Sequence, residues 1–320
     1  MIRVEVPGDF SEKLNRGSVS KRCYPWDVNV IDWSAPIDDD HDYMPSGFSF
    51  LDGSHLEGRL SPRQRSFLTR WEFTCLMRNQ TQGEHILNQA LLGVLYHIDP
   101  YDPAYRYMLH EVAEECQHMS MFNDWVRRNS DIRTRGLGQD QFGTLVSMSA
   151  PLVATRFPAM LWSLTFLFEV FGDQMARAAA GDRNERLHPI VRQLMRAHVI
   201  EEARHVAFAR EWLKRLLPKM RAPSRMVLSS TTETALSLIL RLNFPFVPLL
   251  YSSQIAPLVS RRDFRRALQS EHRRDLLQRQ VGGAAAVLRE FGVVRERTLR
   301  RWDRRGLLPM ARVRTDALAA

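Results

Sequence analysis

Two short stretches, Glu115-Cys116-Gln117-His118 and Glu202-Ala203-Arg204-His205, each place a carboxylate three residues ahead of an imidazole. On an α-helix, residues three apart share a face, so the two groups of each pair converge on one point. Carboxylate oxygens mixed with imidazole nitrogens suit iron or manganese better than a thiolate-seeking ion. The spacing alone carries little weight, because five of the ten histidines (His41, His55, His118, His188 and His205) have an acid three residues before them. Position separates them. Asp38/His41 and Asp52/His55 lie in a turn-rich arm, and Glu185/His188 lies in a Gly-to-Pro connection. Only the pairs at 115/118 and 202/205 fall inside helical stretches.

A carboxylate-bridged two-metal bundle draws a Glu-x-x-His pair from each of two helices and one Glu from each of two others. Glu84 and Glu169 are the two further acids expected. Glu84 sits among Leu76, Met77, Ile86, Leu87, Leu91 and Leu92. Glu169 closes the run Leu161-Trp162-Ser163-Leu164-Thr165-Phe166-Leu167-Phe168, where a lone carboxylate is costly unless it is paired or bound to a cation. The bland alternative is a neutralised core acid, or one bonded to an arginine of another helix. The nearest bases on its own helix, Arg156 and Arg177, stand several turns away, so metal ligation is the expectation. His198 lies four residues before Glu202 on the same stripe, and Glu111 takes the equivalent place before Glu115. On spacing alone such a histidine is more often a core or supporting group. Asn88 and Asp173, four residues after Glu84 and Glu169, are candidates with Glu111 for orienting the ligands or lining a substrate pocket.

These residues need long helices to hold them. Ser61-Pro62 and Asp102-Pro103 are helix starts, a capping side chain followed by proline at the first helical position. The predicted long helices cover about 61–97, 102–129, 157–181 and 189–217, with a fifth at 224–242. A polar linker carrying Gly136, Gly138 and Gly143 follows residue 129, and the third helix begins near Pro151 or, as proline at a first turn favours, at Phe157-Pro158. No stretch alternates in the manner of a strand for more than a few positions. The expected fold class is all-α, a ferritin-like four-helix bundle core with additional helices. Its organisation is an irregular N-terminal arm (1–60), a bundle domain (61–260) and a basic helical tail (261–320) packed on or extending from the bundle, with Gly282-Gly283 interrupting the tail.

The net charge of +9 is local, since residues 261–320 hold sixteen arginines against seven acids while residues 1–260 balance. A solvated arginine-rich helix is the expectation there, with no nucleic-acid partner. Three cysteines, Cys23, Cys75 and Cys116, form no CxxC pair, which excludes a disulfide framework or an iron–sulfur cluster of four cysteines. Two apolar stretches, 158–168 and 234–251, fall short of the roughly 20 uninterrupted residues a spanning helix needs, so no transmembrane segment is expected. No signal peptide is evident at the start, which makes the cytoplasm the default location.

The set Glu84, Glu115/His118, Glu169 and His198/Glu202/His205 resembles the non-haem di-iron N-oxygenases typified by p-aminobenzoate N-oxygenase and the chloramphenicol arylamine oxygenase. The likeness covers about residues 60–217, and all seven positions match. It implies that His198 ligates iron as a third histidine. It further implies two iron ions (manganese possible at one position), O2 as co-substrate, and oxidation of a small aromatic amine to the hydroxylamine, nitroso or nitro level in natural-product biosynthesis. A homodimer is implied too. Electrons would come from an external donor, because the chain carries neither a dinucleotide fingerprint nor a cysteine cluster. The competing reading is another ferritin-like oxidase, hydroxylase or desaturase, which would use six ligands and not need His198.

Overall fold

Ser61 starts the first long helix in the way its type dictates. Its hydroxyl accepts from the Gln64 amide at 3.3 Å, while the Gln64 side chain accepts from the Ser61 N–H at 2.9 Å. This capping box satisfies two donors that the first turn would otherwise leave open. The computed structural model describes residues 6–133, 141–242 and 251–313, and is all-α, with no strand among the described residues. Ten helices follow in order: α1 (Gly8–Ser20), α2 (Pro62–Leu95), α3 (Pro103–Arg128), α4 (Gln141–Arg156), α5 (Pro158–Gly181), α6 (Pro189–Leu216), α7 (Ala222–Leu242), α8 (Arg261–Leu268), α9 (Glu271–Glu290) and α10 (Glu296–Arg304). Four of them, α2, α3, α5 and α6, each start on proline; Ser61, Asp102 and His188 cap three of these starts, while Phe157 before α5 makes no side-chain cap. The helix α2 packs on α3 and α5 on α6, and the two pairs face one another. Their apolar faces meet around Trp162, Phe166, Phe208 and Leu213.

Three segments depart from the sequence-based reading. The arm is not irregular throughout, because α1 lies within it. Its inward face is Ser11, Leu14, Asn15 and Ser18, mostly polar side chains that resemble a solvated segment until α3 and α6 bury them. Asn15 Nδ2 donates to the Pro103 carbonyl at 3.2 Å. The supposed linker contains α4, in which Pro151 occupies an interior position. That proline sits against Gly93 of α2, where a Cβ would lie 2.8 Å from the Pro151 Cβ, so glycine is what allows the two helices to cross so closely. Thr155 Oγ1 fastens the crossing by donating to the Gly93 carbonyl at 3.2 Å. Gly136 and Gly138 lie outside the described residues.

Gly282-Gly283 does not interrupt the tail either. The helix α9 runs through it, and Gly282 leaves room for the backbone of Arg312, which a Cβ would strike. Val281, Ala284, Ala285, Val287 and Leu288 join the cluster that holds Trp162 and Phe208, and Leu299 and Trp302 of α10 join it too. The tail is therefore packed on the bundle. Many of its described arginines are exposed; Arg295 pairs with Glu233 through two hydrogen bonds to Oε1, each 2.9 Å, and the buried Arg273 donates to the Phe48 carbonyl at 3.2 Å. Among the described residues no single helix is long and apolar enough to cross a membrane.

Candidate metal centre

The four long helices bring all seven predicted residues to one buried place. Glu84 comes from the middle of α2, Glu115 and His118 from α3, Glu169 from α5, and His198, Glu202 and His205 from α6. None exceeds 6% exposure, and Glu115, His118, Glu202 and His205 have none. Donor atoms of Glu84, His118, His198 and Glu202 form one group, and those of Glu115, Glu169, Glu202 and His205 a second, each within 4.8 Å. Glu202 belongs to both. Two cations so placed would share a carboxylate, the arrangement a carboxylate-bridged pair requires.

The rings are aimed inward by one nitrogen each. His118 Nδ1 lies 3.0 Å from Glu115 Oε2 and 3.1 Å from Glu202 Oε1. His205 Nδ1 lies 2.9 Å from Glu115 Oε1 and 3.4 Å from Glu202 Oε2. The opposite nitrogens are taken by two residues that sequence reasoning missed. His118 Nε2 bonds to Glu201 Oε2 at 3.0 Å, and His205 Nε2 bonds to Glu114 Oε2 at 2.9 Å. A carboxylate behind a ligating imidazole fixes its tautomer and orientation and raises its basicity. The pattern crosses over, so that the acid from α3 steadies the histidine of α6 and the reverse. A signal for both was present: each Glu-x-x-His is preceded directly by a second glutamate.

Those two carboxylates are themselves anchored by the arm. The Cys23 N–H donates to Glu201 Oε1 at 2.9 Å. Arg204 Nη2 donates to Glu114 Oε1 at 2.7 Å, and Arg204 Nε reaches Ser18 Oγ at 3.2 Å. Gly17 lets this arginine pass, since a Cβ there would stand 3.1 Å from its Cδ.

The electrostatics fit a site for two cations. Burial pushes Glu84 and Glu169 well above the usual carboxylate range, helped by the charges of Glu115 and Glu202. Burial and Glu202 push Glu115 upward too, yet His205 and His118 outweigh them and bring it down. Glu202 is depressed against its burial by His205 and His198. Burial opposes the charge on His118 and His205, but the surrounding carboxylates raise both. Desolvation brings His198 down to about 4, so its imidazole is neutral and free to ligate. Both oxygens of Glu202, both nitrogens of His198, His205 Nδ1, Glu115 Oε1 and Glu169 Oε1 are buried without a hydrogen-bond partner. Such orphaned donors are rare unless something absent completes them. Hard oxygens with three imidazoles and no thiolate suit iron or manganese.

The weaker candidates fare differently. Glu111 is fully buried one turn before Glu115, with both oxygens unpartnered, and burial pushes it up to about 8. Asn88 spends its amide on Cys116 Sγ at 3.6 Å, and Asp173 accepts from Arg177 Nε at 2.6 Å. Neither is among the metal-facing groups or the residues lining the cavity described below. The same pair leaves Glu169 without a base on its own helix, since Arg177 is engaged one turn further along.

An elongated cavity of about 240 Å³ reaches the cluster from α2, α4 and α5, ending at Glu84 and Glu169. Its walls include Leu87, Val153 and Leu164, and the unanticipated α4 forms one side. Gly83 of α2 borders it as well, at an exposed position where a Cβ would meet nothing within 4 Å.

Comparison with known proteins agrees with this geometry. The family model of P-aminobenzoate N-oxygenase AurF matches residues 7–292. Uncharacterized proteins of Mycobacterium bovis and Mycobacterium tuberculosis are each 30% identical over 222 residues, covering 68% of this chain. The match spans 63% of each relative, less than two thirds of their length. No solved structure matches.

Proposed function

The chain belongs to the p-aminobenzoate N-oxygenase family, and from that premise we propose that it is a di-iron oxygenase that oxidises the nitrogen of an aromatic amine. The observation that carries the proposal is the pair of four-residue groups sharing Glu202, buried and with unpartnered donor atoms. Two iron ions held by Glu84, Glu115, His118, Glu169, His198, Glu202 and His205 would supply O2 binding and the electrons for its reduction. The rest is the work of the protein's own side chains. Glu114 and Glu201 hold the two imidazoles in register by accepting from their outer nitrogens. Glu84 and Glu169 face the cavity, so the amine approaches between the two solitary carboxylates. The aliphatic walls exclude water, which protects the reacting nitrogen from competing hydrolysis and proton leakage. Electrons come from a separate donor, and a manganese ion is compatible with one of the two positions. A homodimer, and the arm, bundle and tail as three parts of the chain, belong to this same proposal.

Metal analysis with single-turnover chemistry tests it. About two irons per chain are expected, together with mass gain by one or two oxygens when the reduced protein meets O2 and an aromatic amine. An iron-replete preparation that leaves every aromatic amine offered unchanged would overturn the assignment.

A further inference from the structure

The cavity that ends at Glu84 and Glu169 bears on which amines can enter. Among its described lining residues there is no lysine, arginine or histidine. The polar side chains are Gln80, Ser149, Thr165 and the two glutamates, and the remainder are aliphatic, methionine, alanine or glycine. A carboxylate brought among these side chains would lose its hydration and meet no basic side chain among the described lining residues. A neutral ring loses nothing comparable. An apolar cavity of about 150 Å³ already admits benzene, so 240 Å³ has room for one substituted ring.

Thr165 adds a second observation. It is 2% exposed, borders the cavity one turn before Glu169, and its Oγ1 has no hydrogen-bond partner. A buried hydroxyl in that state stands ready for a ligand's donor or acceptor. An amine N–H directed to Thr165 Oγ1 would hold the nitrogen beside the carboxylate of Glu169.

We infer that the cavity between α2, α4 and α5 selects an uncharged, single-ring aromatic amine, steadied by Thr165, and rejects amines that carry a carboxylate. The inference rests on the oxygenase reading above, and it separates this chain's substrate from p-aminobenzoate itself. Binding tests it without turnover. Iron-loaded protein, given no reductant, is titrated calorimetrically at pH 7 with p-toluidine and with p-aminobenzoate. The expected result is p-toluidine binding tighter by about a hundredfold, since an unpaired buried charge is the larger burden. Thr165→Val, which keeps the shape and removes the hydroxyl, should weaken p-toluidine by about tenfold, the worth of one hydrogen bond. Val146→Arg, at the partly exposed edge of the cavity, should bring p-aminobenzoate to within tenfold of p-toluidine. Iron content read on each sample separates lost binding from lost folding. Wild-type protein that binds p-aminobenzoate as tightly as p-toluidine overturns the inference while leaving N-oxygenation standing. Tight p-toluidine binding with no oxidation after reduction and O2 would do the opposite.

Discussion

The two halves of the metal site are near copies with one exception. α3 presents Glu115 and His118, with Glu114 serving the other half; α6 presents Glu202 and His205, with Glu201 doing the same. Four residues upstream the copies diverge, to Glu111 on α3 and His198 on α6. Both are buried and unpartnered, yet burial drives them to opposite ends: Glu111 keeps its proton and His198 sheds its own. A neutral imidazole is a ligand, whereas a protonated carboxyl is only a filler until it ionises. The difference teaches that a two-fold frame can hold two metals equally while giving one of them an additional nitrogen. The asymmetry lies in the side-chain type at that position, since burial favours the neutral form of both groups.

The comparison can be attacked from several sides. Glu202→Ala removes the carboxylate common to both groups, so elemental analysis should fall from about two irons per chain to nearly none. Loss of a single iron would mean that Glu202 serves one position only. His198→Ala should cost one of the two irons and Glu111→Ala neither; equal losses would erase the distinction between the halves. Glu114→Gln and Glu201→Gln act behind the rings, and each should weaken iron retention by about 10–100-fold in chelator competition. A near match between them would sharpen the symmetry, and a wide gap would trace to the added Arg204 contact on Glu114.

The smallest effect is a pH slope. Glu111 is raised from 4.5 to about 8, so the folded state keeps a proton that the unfolded carboxyl gives up. Its contribution to stability is fully present below about 4.5 and is lost as pH rises through about 8. Metal-free Glu111→Gln should therefore show a shallower fall of Tm across that window than the wild type. Parallel curves would mean that Glu111 ionises freely in the folded chain.

Much of this was readable before any fold was known, and the reason differs by residue. The helix starts at Ser61-Pro62 and Asp102-Pro103 follow from local chemistry, as does the isolation of Glu169 in an apolar run. Convergence of the seven groups follows from helical spacing once four helices are granted. What the sequence concealed depended on tertiary burial. The inward face of α1 is serine and asparagine, which become core only because α3 and α6 cover them. Pro151 reads as a possible helix start, whereas α4 begins ten residues earlier and runs through it, with the proline fitted against Gly93. The contacts of Asn88 with Cys116 and of Asp173 with Arg177 are likewise tertiary or rotameric details that counting along a helix does not give. Glu114 and Glu201 looked like ordinary charged neighbours, because nothing local reveals that a ring from the opposite helix will reach them.

The arm's grip on those two glutamates has a consequence in time. The bonds from Ser18 and Cys23 span 186 and 178 residues of chain, among the longest separations in the molecule. Contacts so distant in sequence close late, because a long loop must be ordered before they reward it. During synthesis the arm emerges first and waits until residue 204 has followed it. A metal ion arriving in that interval would meet imidazoles whose partners are still untethered, and would be held less firmly than one arriving afterwards. Retention of metal thus reports on the final stage of folding, and stopped-flow refolding into a chelator would show iron capture lagging behind helix formation.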